Sequence, residues 1–346
     1  MIEFLSEYGL FLAKAVTVVI AIIMIISVAA ASAQSRQRRD HKGEIMVTPL
    51  NDFFDDLQDT LRHYLLDKHE LKELEKARKK EEKAKKKIKD EPRRKRIFVL
   101  DFDGDVKASG VEHFANEITA VLTMSEREDE VVLRLESPGG QVHSYGLASS
   151  QLERFRQKEI PLTVCVDKVA ASGGYMMACT ANKIIAAPFA ILGSIGVVAE
   201  LPNFNRILRK YDVDYDIYTA GEFKRTVTML GENTDEGKQK FVEEIEETHV
   251  LFKELIKRNR PSLDVDTVAT GEHWYGNQCL EKGLIDDIQT SDDYLYAASK
   301  DCDIYEVSYE MKKTMADRLG FAMEGALTKS LTRIIGSLTS RGKSLV

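Results

Sequence analysis

Cysteine is scarce in this chain: 346 residues hold four, Cys165, Cys179, Cys279 and Cys302. They are widely separated, with no Cys-x-x-Cys and no Cys/His pairing, which argues against zinc-binding and dithiol redox chemistry. Cys165 and Cys179 stand in apolar stretches, where a free thiol packs as a small hydrophobe. All four are therefore expected to be structural, and neither a metal nor a cofactor is expected. A general excess of positive charge is also missing. The net charge is −7, which gives no signal for nucleic-acid binding. The basic charge is local instead, with fifteen Lys/Arg against eight Asp/Glu in residues 67–96. Beyond residue 33 no uninterrupted apolar run is long enough to cross a bilayer. The stretch 184–201 is broken by Pro188, Gly193 and Gly196 and bounded by Pro202, so it reads as the core of an α/β fold, whose buried strands are apolar on both faces.

One long apolar run is present. Residues 15–33 are uniformly apolar or small, and as a helix they would extend about 28 Å, close to the thickness of a bilayer core. A retained membrane anchor is expected over 1–35, with membrane lipid as a partner. The competing reading is a cleaved signal peptide, since Ala31-Ser32-Ala33 resembles a cleavage site. Against it stand the length of the run and an acidic leader, with Glu3 and Glu7 against Lys14 alone. The basic flank after the run (Arg36, Arg38, Arg39, Lys42) places the bulk of the chain in the cytoplasm by the positive-inside rule.

Residues 51–66 carry Phe53, Phe54, Leu57, Leu61 and Leu65 at helical spacing, and 68–89 are dense in Glu and Lys at helix-compatible intervals. A charged, solvated helical spacer over 36–96 is expected, with contact between its basic residues and anionic headgroups as the alternative. Pro92 closes it. From residue 97 the pattern alternates: strands over 97–102, 131–135, 162–166 and 184–186, helices over 111–123, 142–155 and 173–181. Units of this length require crossover connections and a layered α/β fold. The expected catalytic domain spans 97–300, followed by a C-terminal extension over 301–346.

The chemistry concentrates in three places. Ser172 lies in Val-Ala-Ala-Ser-Gly-Gly-Tyr, between the expected strand 162–166 and an apolar helix, without the Gly-x-Ser-x-Gly frame of a nucleophile elbow. Its hydroxyl would sit at a helix start, where free amides favour developing negative charge, and Gly173 and Gly174 leave those amides unshielded. Lys224, fifty-two residues on in Gly-Glu-Phe-Lys, is the candidate base. A lysine acts as a base only when neutral, so its surroundings must be dry. Ser137-Pro138-Gly139-Gly140 ends another strand and can bring a second amide close to a substrate carbonyl, making Gly139 and Gly173 a two-donor oxyanion hole. Each element also has a plain structural reading: a helix cap for Ser172, a β-turn for residues 137–140, a surface lysine for Lys224. His113 and His143 are the histidines a Ser/His/Asp triad would need, but their spacing does not mark either as a base.

Ser-Pro-Gly-Gly, Ala-Ala-Ser-Gly-Gly-Tyr, Gly-Ser-Ile-Gly-Val (193–197), Gly-Glu-Phe-Lys and Gly-x-x-Trp-x-Gly-x-x-Cys-x-x-x-Gly-Leu-Ile-Asp (271–286) occur in that order. On these motifs the chain, over 97–290, resembles the signal peptide peptidase A family of serine peptidases, and in particular its SohB-type inner-membrane members. The resemblance implies a crotonase/Clp-protease-like layered fold, Ser172 as nucleophile, Lys224 as general base and Gly139 at the oxyanion site. It also implies a bacterial inner-membrane homo-oligomer in which serine and lysine of one site come from neighbouring subunits. Better-known members face the outer side of that membrane, opposite to the charge bias. Extended apolar peptides, such as remnant signal peptides or misfolded membrane-associated segments, are the expected substrates. A non-catalytic anchored scaffold and a crotonase-like acyl-CoA enzyme are the alternatives.

Overall fold

The computed structural model describes residues 16–17, 43–85 and 94–311. The compact unit Ile45–Tyr309 carries the elements discussed below. In chain order they are β1 (Glu44–Pro49), α1 (Leu50–Leu65), α2 (Lys68–Lys85), β2 (Lys95–Asp103), α3 (Val111–Met124), β3 (Glu130–Glu136) and α4 (Val142–Gln157). Next come β4 (Leu162–Val166), β5 (Val169–Ala171), α5 (Gly173–Ala178), β6 (Lys183–Ala186), β7 (Ile191–Gly193) and α6 (Asn205–Lys210). The chain closes with α7 (Asp235–Asn259), α8 (Val265–Val268), β8 (His273–Tyr275), α9 (Gly276–Glu281), β9 (Asp287–Ile288), α10 (Ser291–Ala298) and β10 (Cys302–Glu310).

The main sheet has seven strands in the order β1-β10-β2-β3-β4-β6-β9. Every pair from β10 to β9 is parallel. Parallel pairing needs covering layers on both faces, and β2 shows how the sequence provides them. Phe98, Leu100 and Phe102 point into the larger core with α3 and α4, while Ile97 and Val99 point into a second cluster on the opposite face. A small sheet, β5-β7-β8, stands beside the main one and is joined to it through a bridge from Ser137 to Ala170.

Two expectations are corrected. Among the described residues of 36–96, the start of α1 is docked on the second face of the sheet, so the stretch is not solvated throughout. Leu50 and Phe54 pack on that cluster, and the Asn51 amide donates to the carbonyls of Ser299 and Cys302 while its oxygen accepts from the Ile304 amide. The contact is confined to the start of the helix, since Phe53, Leu57, Leu61 and Leu65 each remain more than half exposed. Residues 302–310 are not an extension either. They form β10, paired in register with β2 from Cys302 opposite Lys95 to Glu306 opposite Val99.

The first part of the stretch 184–201 enters the core as β6 and β7, with Ile195 buried beyond them, whereas Val198 and Leu201 are exposed and the expected core stops short of them. Among the described residues no helix is long and apolar enough to cross a membrane. The expected anchor lies outside the described residues apart from Val16 and Thr17, which are helical.

Candidate active site

The site is built where the main sheet meets the small one. Beyond the end of β3, Ser137 runs parallel to β5: its amide donates to the Val169 carbonyl at 2.8 Å and its own carbonyl accepts the Ala171 amide at 3.0 Å. The two glycine turns therefore emerge side by side. A Cβ on Gly139 (φ +88°) would lie 2.7 Å from the Ala171 carbonyl oxygen, 2.7 Å from the Gly173 nitrogen and 2.8 Å from the Ser172 Cβ. Glycine is required here both for the backbone angle and for the approach. The fold thus brings Gly139, Ser172 and Gly173 into contact.

Ser172 holds φ +51° and ψ −115°, a conformation that a residue with a side chain adopts only under constraint. The constraint is visible. Its amide donates to the Gly193 carbonyl at 2.8 Å, and its carbonyl accepts from the Met176 amide at 2.9 Å in the first turn of α5. Gly193 is itself held by Trp274, since a Cβ there would meet the indole ring at 2.8 Å. The Trp of the 271–286 motif is thereby connected to the peptide that carries Ser172.

The helix-cap reading of Ser172 fails, because its side chain makes no capping hydrogen bond. The hydroxyl is half-buried, with no hydrogen-bond partner among the described residues. Beside it, the Gly173 amide also lacks an acceptor among the described residues. The Gly139 amide, in contrast, donates to Ser137 Oγ at 3.1 Å. On that turn it is the Gly140 amide that has no acceptor among the described residues.

Lys224 follows a turn closed by a hydrogen bond from its own amide to the Gly221 carbonyl at 3.2 Å. Its side chain is exposed and makes no hydrogen bond or ion pair among the described residues. The dry environment expected of it is not provided by the single chain. Its segment is tied to itself, with Asn203 Nδ2 donating to the carbonyls of Thr228 and Gly231. It also presents apolar side chains to solvent, Val198 at 83%, Tyr211 at 70% and Tyr218 at 91% exposure.

His113 and His143 are both exposed, and His113 stacks near Tyr309 with ring centroids 5.3 Å apart. Neither is hydrogen-bonded to Ser172. The cysteines are free. Burial pushes the thiols of Cys179 and Cys279 up to about 12, as suits inert packing groups. Among the described residues no group of His, Cys, Asp and Glu side chains could hold a metal ion.

Two residues with a stake in the site escaped the sequence reading. Tyr145, fully buried on α4, places its hydroxyl 2.5 Å from Ser137 Oγ and donates to the Asp105 carbonyl at 2.8 Å. Its place in the helical series Tyr145, Ala148, Leu152, Phe155 marks it only as core. Ser137 was visible as the head of Ser-Pro-Gly-Gly, but not as the acceptor of an amide.

An α/β fold with a half-buried serine set among glycine amides at a strand-to-helix turn has the geometry that serine hydrolase chemistry calls for. Comparison with known proteins narrows the class to peptidases. Residues 3–152 match the model of the peptidase family S49 N-terminal region, and residues 154–304 match that of peptidase family S49 itself. A SohB protease of Haemophilus influenzae is 48% identical over 328 residues, 92% of each chain. A SohB protease of Buchnera aphidicola is 51% identical over 70% of this chain and 72% of its own. More distant is a signal peptide peptidase SppA of Enterococcus faecium, 28% identical over 56% of each chain. Among solved structures, the 1510-N membrane-bound stomatin-specific protease aligns with a TM-score of 0.40 and 14% identity, over 59% of this chain and 84% of that one. The chain belongs to peptidase family S49 and is a serine peptidase.

Proposed function

We propose that this peptidase is a membrane-anchored endopeptidase that cuts extended, apolar peptides with a Ser172/Lys224 dyad. The observation that carries the reading is Ser172 itself: a constrained backbone, a hydroxyl the fold leaves unpartnered, and direct contact with the glycines of a second turn. Neutral Lys224 takes the Ser172 proton, and the alkoxide attacks the peptide carbonyl carbon. The Gly173 amide and an amide of the 139–140 turn hold the oxyanion as it forms. Collapse breaks the C–N bond, the lysine returns its proton to the leaving amine, and a water activated by the same lysine releases the acyl group. Because the Gly139 amide is engaged by Ser137, the second donor is either Gly140 or a Gly139 amide that turns when substrate arrives.

The exposed setting of Lys224 is part of the proposal. A basic lysine has to be desolvated, and the apolar side chains displayed by the same segment suit burial against another subunit. We therefore read the active species as a homo-oligomer in which the neighbour completes the site. The run at 15–33 would hold it in a bacterial inner membrane, where remnant signal peptides and misfolded membrane segments are the available extended apolar chains. The charge bias favours a cytoplasmic catalytic domain and the family resemblance a periplasmic one. A reporter fused after Val346, active on one side only, decides between them.

The dyad is tested by hydrolysis of an apolar fluorogenic peptide. Lys224→Ala is expected to lower kcat by at least about a thousandfold with the oligomer intact, in line with the contribution of a catalytic base. Wild-type turnover by that variant would remove lysine from the mechanism.

A further inference from the structure

The hydrogen-bond chain behind the 139–140 turn has only one possible direction. The Asp105 carbonyl can only accept, so the Tyr145 hydroxyl, 2.8 Å away, donates to it. With its single proton committed, the Tyr145 oxygen accepts at its second contact, and the Ser137 hydroxyl, 2.5 Å away, is the donor. The Ser137 oxygen then accepts the Gly139 amide at 3.1 Å. The relay runs Gly139 N–H to Ser137 O–H to Tyr145 O–H to Asp105 C=O, with each donor used once.

The ring of Tyr145 bears on the other turn. A Cβ on Gly173 would lie 2.4 Å from Tyr145 Cγ, so the ring lies flush against the backbone whose amide sits beside Ser172. Gly104 leaves room for the relay, since a Cβ there would fall 2.5 Å from the Tyr145 oxygen and 2.7 Å from Ser137 Oγ. Phe102 backs the ring edge-on, with centroids 6.5 Å apart at 77°. One buried side chain therefore touches both glycine turns, by packing on one side and by hydrogen bonding on the other.

We propose that Tyr145 is a positioning residue of the oxyanion site: its ring sets the Gly173 backbone, and its hydroxyl, acting through Ser137, sets the peptide planes of the 139–140 turn. Holding the Gly139 amide against Ser137 fixes the preceding peptide and leaves the Gly140 amide without a partner of its own. The inference rests on Ser172 being the nucleophile. Oxyanion donors act through preorganisation, so a turn free to rock stabilises the transition state less while ground-state binding along the substrate changes little.

The test compares full-length wild type with Tyr145→Phe, Ser137→Ala, the double variant and Ser172→Ala. Active sites are counted by titration with a serine-reactive phosphonate, and kcat and KM are measured on an apolar fluorogenic peptide. Tyr145→Phe keeps the ring and loses only the hydroxyl. Per titrated site its kcat is expected to fall about tenfold to a hundredfold, less than loss of a whole oxyanion donor, with KM within about twofold and the pH profile unmoved because the base is untouched. Ser137→Ala is expected to fall similarly, and the double variant no further, because the two act as one unit. A variant that folds poorly reduces the number of titrated sites rather than kcat per site, and Ser137→Ala carries the test if Tyr145→Phe yields none. Wild-type kcat in both single variants, or a loss confined to KM, overturns the proposal while Ser172→Ala stays inactive. Hydrolysis by Ser172→Ala overturns the nucleophile assignment, and the proposal with it.

Discussion

Ser172 combines two demands that conflict. Its φ of +51° is unfavourable for a residue with a side chain, and the surrounding hydrogen bonds to Gly193 and from Met176 hold it there. Glycine relieves such strain, so Ser172→Gly is expected to abolish hydrolysis and to raise stability by about 1–2 kcal/mol, a trade common at active sites. Urea unfolding checks it, and an unchanged or lower midpoint would show that the backbone is not strained. Gly173→Ala has the opposite character, because its methyl would sit 2.4 Å from Tyr145 Cγ. It is expected to cost about 1–3 kcal/mol as overpacking and to disable the site, by urea unfolding and phosphonate titration respectively. At this scale the sequence was informative where chemistry leaves a residue-type signature: a serine between small residues, and glycines where a backbone must come close. Tyr145 left none, since a buried tyrosine at helical spacing looks like any core residue. Its role arises only when Asp105, Ser137 and Gly173 are brought around it from three different parts of the chain.

Among the elements, the alternating strands and helices from residue 97 were legible, and six of the seven match to within two residues at each end. Helix α5 stops at Ala178 rather than 181, where the residues that follow turn through hydrogen bonds from Thr180 to Met177 and from Ala181 to Ala178. The docking of α1 was not legible. Its periodicity announced a helix, but the surface it covers is completed by β10 and α10, some 250 residues later, and the linking hydrogen bonds come from one asparagine that reads locally as a helix-start residue. Asn51→Ala removes the bonds to Ser299, Cys302 and Ile304 together. It is expected to lower stability by about 2–3 kcal/mol, since the partner groups are left poorly satisfied, and to increase proteolytic cleavage between α1 and α2. Limited proteolysis with urea unfolding measures both. Unchanged protection would mean that apolar contacts alone hold the helix.

At the level of the whole molecule, the 271–286 motif is structural. The Asp286 carboxylate accepts two hydrogen bonds from Arg260, each at 2.7 Å, and the Ile184 amide at 2.7 Å, tying the end of α7 to β6. Burial alone would raise the Asp286 pKa, but the bonds from Arg260 and Ile184 outweigh it and hold the carboxyl below its ordinary range. A carboxyl depressed in the folded state contributes stability in full above its unfolded value, about 3.9, and loses it as pH falls through the folded value. With Asp286 about a third exposed and partly screened by solvent, Asp286→Asn is accordingly expected to cost about 1–2 kcal/mol near pH 7 and to flatten the fall in stability on acidification below about pH 4. Urea midpoints across pH 3–7 read both effects. Assembly is the other property at this scale. If Ser172 and Lys224 of one site come from neighbouring chains, mixing inactive Ser172→Ala and Lys224→Ala subunits in equal amounts restores about a quarter of wild-type turnover, the chance of a correct neighbour in a random ring. No recovery after verified subunit exchange would place both residues in one chain.

The central claim is that Ser172 is a nucleophile activated by Lys224, and it is tested most directly by mapping the adduct of a serine-reactive phosphonate on the detergent-solubilised, full-length oligomer. The account expects one adduct per chain, on Ser172, absent from Ser172→Ala and strongly reduced in Lys224→Ala. An adduct on another serine, or undiminished labelling of Ser172 once Lys224 is gone, would contradict it.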